Sequence, residues 1–121
     1  MSGVALWAGV AVLGGLASIA RFLVDGFVSR RSRSRLPLGT LTVNVTGSLV
    51  LGLLIGLSLE GDGYLLLGTA VIGSYTTFST WEAETHRLAE SARVGVAAAN
   101  ILVSLALGLA AVELGRLLGG L

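Results

Sequence analysis

Gly73-Ser74-Tyr75-Thr76-Thr77-Phe78-Ser79-Thr80 sets three threonines, two serines and a glycine near the middle of an otherwise apolar segment. Hydroxyls bond back to the backbone and glycine weakens a helix, so a break is one reading of this stretch. An unbroken helix whose hydroxyls bond to the preceding turn is the other. A break at membrane depth leaves carbonyls in need of a protein partner, water or a cation. Carbonyls from two facing copies would make a hard-cation site of oxygen ligands.

Working outward, the segment around this stretch runs from about Tyr64 to Ala92, ending in an amphipathic run with Glu82, Glu84, Arg87 and Glu90. Before it, Pro37 opens a second segment that reaches about Leu59 and is closed by the turn Glu60-Gly61-Asp62-Gly63. The first segment covers about Val4 to Val28, and the fourth runs from Val94 to about Leu118. A hydrocarbon core of about 30 Å needs roughly 20 helical residues at ~1.5 Å each, and each segment is long enough. The expectation is a single domain over 1–121, all-α and integral to a membrane. It has four transmembrane helices, at about 4–28, 38–59, 64–92 and 94–118, with the third broken at 73–80.

Composition points the same way. Of 121 residues 54% are hydrophobic and 12% charged, too few charges to keep a soluble domain of this size dissolved. Cysteine is absent and His86 stands alone, so thiolate and paired-histidine metal sites are not available. A net charge of +1 gives no reason to expect a nucleic-acid partner. The first apolar segment lacks a basic leader before it and reads as a retained helix rather than a signal peptide.

Arginines are distributed unevenly. Arg30, Arg31, Arg33 and Arg35 follow the first segment and Arg87 and Arg93 follow the third, against Arg116 near the C-terminus. The positive-inside rule then puts both of those loops in the cytoplasm and both termini outside.

Polar residues inside apolar helices are costly unless they pair or line a wet path. Thr40, Asn44, Ser48, Gly52 and Gly56 recur every four residues and so form one stripe. Gly52 and Gly56 read as helix-packing positions, whereas the Asn44 amide could offer donors to an anion. Asn100, Ser104 and Gly108 repeat the spacing in the fourth segment. The two tracks either line a path or satisfy one another. Arg21, with Asp25 one turn on, is either an intrahelical pair near the interface or a positive charge at a pore vestibule. Glu82 and Glu84 read as a solvated helix face.

Three motifs resemble the Fluc/CrcB fluoride channels. They are Gly14-Gly15-Leu16-Ala17-Ser18-Ile19-Ala20-Arg21-Phe22, Pro37-Leu38-Gly39-Thr40-Leu41-Thr42-Val43-Asn44-Val45-Thr46-Gly47-Ser48, and Gly73 to Trp81. The resemblance covers nearly the whole chain. It implies an antiparallel dimer with two narrow anion pores and a structural sodium ion on the backbone carbonyls of Gly73 and Thr76. It puts Asn44, Thr77, Phe78, Ser79, Trp81, Asn100 and Ser104 on the fluoride path, with the rings of Phe78 and Trp81 meeting the anion edge-on.

Departures from the family pattern are Ser18 and Ile19 for a usual Gly-Ala, Trp81 for a second phenylalanine, Asn100 for a tyrosine and Gly108 for a serine. The last three fall on the implied pore. Together with the arginine bias they suggest a subunit of fixed orientation that pairs with a homologue rather than with itself. Transport makes no covalent bond, so no catalytic residue is expected. The alternative is a small multidrug-type proton-coupled transporter, which needs an embedded acid in its first helix. Only Asp25 is available for that role. A non-conducting subunit of a larger assembly would explain the glycines but neither polar track nor the break.

Overall fold

The computed structural model describes residues 2–121. Helix α1 (Gly3–Arg31) is capped by Ser2, whose hydroxyl accepts from the Ala5 N–H. It extends one turn past the apolar run, so Arg30 and Arg31 lie in its last turn, where cations suit the carbonyl end of the helix dipole. Arg31 lies over the Phe27 ring, 3.7 Å from its centroid.

Helix α2 (Leu38–Gly56) begins directly after Pro37. It ends three residues short of the expected Leu59 because Ser58 turns left-handed, at φ 57°. The Leu59 N–H then reaches back to Leu54 O. Ala92, φ 60°, closes a later helix in the same way, with Arg93 N–H bonded to Leu88 O. Both are Schellman closures without the usual glycine.

The third segment starts earlier than expected, with α3 (Gly61–Tyr64), and widens into a π-helix over Leu65–Ile72. One further α-turn, α4 (Gly73–Tyr75), follows. Thr76, Thr77 and Phe78 leave the helix, and α5 (Ser79–Glu90) resumes it. Helix α6 (Val94–Gly119) completes the chain. Among the described residues these elements make four helices, the third, 61–90, bent and interrupted. The interruption falls inside the expected 73–80, and Gly73 at its start is still helical, at φ −61° and ψ −33°. Thr76 is where the backbone becomes extended, at ψ 161°.

Helices α1, α2 and α6 are each long and apolar enough to cross a membrane. Their outer faces leave Trp7, Leu16, Phe22, Leu102 and Leu109 more than half exposed, a surface for lipid or a partner rather than water. Helix α2 packs along α6 on one side and against α1 on the other. The part of the third segment before the break rests on α1, and α5 rests on α6. The break therefore carries the chain across α2, from the α1 side to the α6 side.

That crossing needs close backbones. A Cβ on Gly52 or Gly56 would overlap the carbonyl oxygens of Val112 and Arg116. From the other side, Gly115 and Gly119 meet Leu49 O and Leu53 O in the same way. Four glycines thus form a reciprocal seam.

Candidate functional site

Asn44, at the middle of α2, faces the break. Its Oδ1 accepts the Thr77 N–H and its Nδ2 donates to Thr77 O, both at 2.8 Å. One amide therefore satisfies both backbone groups of a residue that has left its helix. This is how an interruption survives away from water. One Nδ2 hydrogen remains, so the amide has one free donor rather than two.

The neighbouring hydroxyls finish the job. Thr76 Oγ1 donates to Ile72 O at 2.9 Å, and Thr77 Oγ1 accepts from the Thr80 N–H at 3.2 Å, capping α5. Thr46 Oγ1 and the Tyr75 hydroxyl lie 2.9 Å apart. Gly47 is buried, and a Cβ there would overlap the Thr76 methyl. Replacing Gly47 by valine should push Thr76 away and loosen the Asn44–Thr77 pair. The expected result is at least a tenfold (order-of-magnitude) loss of ion flux with helical content unchanged, read by efflux and circular dichroism. Undiminished flux would show that the break tolerates displacement.

A groove of about 280 Å³ opens beside this break. Asn44 and Ser48 line it from α2, Thr76, Thr77, Phe78 and Trp81 from the break and α5, and Ser104 and Gly108 from α6. The rings of Phe78 and Trp81 are tilted 58° to each other, with centroids 5.4 Å apart. Two buried polar atoms among these residues, Trp81 Nε1 and Ser104 Oγ, have no hydrogen-bond partner. An unpaired buried group of this kind costs about 1–3 kcal/mol and calls for a ligand or another chain.

The family described as "CrcB-like protein, Camphor Resistance (CrcB)" matches residues 8–116. The chain belongs to the CrcB family. A relative from Mycolicibacterium paratuberculosis, named "Fluoride-specific ion channel FluC 2", is 52% identical over 121 residues, covering 100% of this chain and 99% of the relative. A protein of the same name from Mycobacterium tuberculosis strain H37Rv is 55% identical over 113 residues, 93% of this chain and 90% of its own. "Fluoride-specific ion channel FluC" of Acidobacterium capsulatum is 40% identical over 119 residues, 94% of each chain. With three apolar helices able to span, this CrcB chain is a multi-pass membrane protein.

Not every expected site residue joins the groove of this CrcB chain. Asn100 is 2% exposed and donates through Nδ2 to Thr85 Oγ1, which in turn donates to Trp81 O. It ties α6 to α5 behind the groove. Ser79 is exposed at the start of α5 and does not line the groove. Arg21 donates from Nε to Ser74 O at 3.4 Å, so it braces α1 against α4, while Asp25 accepts from the Ser29 hydroxyl. Asp25 also sits where a Cβ on Gly39 would be, wedged at the α1–α2 contact rather than in a cavity of the bundle interior.

Glu84 departs from the solvated face expected of it. It is half-buried and accepts a hydrogen bond from the hydroxyl of Thr40, a residue 2% exposed. The period-four stripe gave Thr40 a place, but nothing local in α5 marks Glu84 as its partner. Ser48 and Gly108 face each other across the groove, with 3.7 Å from Ser48 Oγ to the position a Gly108 Cβ would take.

The residues at the break fit a hard cation. Among the described residues no three His, Cys, Asp or Glu side chains come together for a metal, which leaves oxygen donors of the backbone. Because the Thr77 N–H goes to Asn44, it does not close the helical turn on Gly73 O. Gly73 is exposed, with nothing within 4 Å of an added Cβ. Two carbonyls from one chain fall short of the roughly six oxygens a hard cation prefers, and a second copy would supply more.

Proposed function

We propose that this chain is one subunit of an antiparallel dimeric fluoride channel that lets fluoride leave the cell passively. The observation that carries the reading is the groove at the break, which Asn44 lines together with Trp81 and Ser104, whose Nε1 and Oγ have no hydrogen-bond partner. Fluoride is small and strongly hydrated, so a path must replace its water with short-range donors. The free Asn44 N–H, the Thr77 and Ser104 hydroxyls and the Trp81 indole N–H are such donors. The edge of the Phe78 ring carries the positive end of its quadrupole. A narrow bore lined this way disfavours the larger chloride. No side chain is given a catalytic role, because no bond is made or broken.

The same reading assigns a structural sodium ion to the carbonyls of Gly73 and Thr76 at the dimer centre, where it would add positive potential. Withdrawing sodium in favour of N-methylglucamine should lower the thermal midpoint of the detergent-solubilised dimer, since an ion bound only to the folded form stabilises it. Equal midpoints in the two buffers would remove the ion from the proposal.

Orientation follows the arginine bias, with both termini outside and the chain in a fixed sense. An oppositely oriented homologue is then a suitable partner, because Trp81 and Gly108 alter the groove of this chain relative to the family pattern. Fluoride efflux from liposomes holding this chain alone, with chloride as control, tests the proposal. Selective fluoride release supports the channel and a working homodimer. Release only after addition of a homologous subunit supports the heterodimer, and chloride release at an equal rate overturns fluoride selectivity.

A further inference from the structure

A second cleft, of about 350 Å³, lies away from the groove, where the α1–α2 loop meets the end of α5 and the α5–α6 turn. Arg35, Arg87 and Arg93 reach it from three different segments, with serine hydroxyls between them. None of these guanidiniums makes a hydrogen bond or a close salt bridge among the described residues, unlike Arg21 and Arg116, although Arg87 lies near enough to Glu84 to feel its charge. The cleft holds a single carboxylate, Glu84, and that one already accepts from Thr40. Three cations therefore face one acid in a concave site, and the balance favours an anion.

Position narrows the anion's chemistry. The cleft sits where the apolar run of α1 has ended and α2 has just begun, the level at which hydrocarbon gives way to headgroups. Its loop wall is held by the Ser34 N–H on Ser32 Oγ, 3.2 Å, and the Leu36 N–H on Ser34 Oγ, 3.1 Å. Both hydroxyls act as acceptors there, and each keeps its proton to donate outward. Guanidinium forks and hydroxyls around a basic pocket between membrane helices match the oxygens of phosphate.

We infer that this cleft binds a phosphate group, carried by an anionic phospholipid or free in solution. The inference goes beyond the fluoride path and does not rest on it.

The test compares three detergent-solubilised proteins, each checked for monodispersity and helical content. They are the unaltered chain, the cleft variant Arg35→Gln/Arg87→Gln/Arg93→Gln, and the loop variant Arg30→Gln/Arg31→Gln/Arg33→Gln. The loop variant removes the same charge from positions outside the cleft. Native mass spectrometry would count bound phosphatidylglycerol against phosphatidylcholine, and thermal shift would follow inorganic phosphate in a separate arm. The unaltered chain should retain phosphatidylglycerol preferentially. The cleft variant should bind it about a hundredfold more weakly, and the loop variant within about threefold of the unaltered chain. If the cleft variant does not fold, Arg35→Gln alone should weaken binding about fivefold. A stabilising shift with inorganic phosphate alone, lost in the cleft variant, also supports the site and assigns it to free phosphate. Equal losses in both triple variants, or no preference for phosphatidylglycerol together with no phosphate shift, overturn it.

Discussion

Asn44→Asp is expected to cut fluoride efflux at neutral pH by at least about a hundredfold while the protein keeps its helical content. Aspartate has almost the shape of asparagine, so packing is not the reason. The carboxylate can still accept the Thr77 N–H, but it has no proton to return to Thr77 O. That carbonyl is left facing a negative oxygen at the point where the chain has abandoned its helix. The substitution also sets a full negative charge on the groove. Two unit charges about 4 Å apart at an effective dielectric of about 20 repel by about 4 kcal/mol, and each ~1.4 kcal/mol is tenfold in rate. The protonated acid can again donate to Thr77 O and accept from its N–H, but it lacks the second proton that the amide keeps free. Efflux by the variant, taken above that of protein-free liposomes, should therefore recover in part as pH is lowered, which a merely misfolded protein would not do. A fluoride electrode following liposome release across pH measures both effects. Efflux near that of the unaltered chain at neutral pH would take Asn44 off the anion path.

The same asparagine separates what is legible in the sequence from what is not. The apolar lengths of the four segments fix the helices, because little else satisfies a backbone in lipid. The threonine-rich stretch marks the interruption, yet its place depends on Asn44, 33 residues earlier in the chain. The expected break at 73–80 contains the observed one, and the structure narrows it to Thr76–Phe78 because a partner there takes the released groups. Asn100 belonged to a polar track by spacing, but its partner Thr85 lies on α5, and period-four arithmetic within α6 could not reveal it. The π-helix at Leu65–Ile72 has no local composition to announce it. Glu84 looked solvated because its own helix is polar. What buries it is α2.

The seam between α2 and α6 divides in the same way. Gly52 and Gly56 stand out from the α2 stripe, but Gly115 and Gly119 lie beyond the polar residues of α6, where no spacing marks them. Their role appears only when the two backbones are seen together. Gly115→Val is expected to destabilise the fold by about 3 kcal/mol or more, because the clash is with Leu49 O and the Leu53 backbone nitrogen, not with the end of a flexible side chain. Relief requires α2 and α6 to separate along their length. In a bilayer no hydrophobic force draws them back, since lipid covers apolar surface as well as another helix does. Separation also parts Asn44 and Ser48 from Ser104 and Gly108, so the groove should lose its shape with the seam. Gly95→Val, in the first turn of the same helix with nothing within 4 Å of an added Cβ, is the control and should be nearly neutral. Unfolding midpoints in a detergent titration would separate the two variants. If Gly115→Val unfolded at the midpoint of the unaltered chain, the close approach of α2 and α6 would not be what holds the groove together.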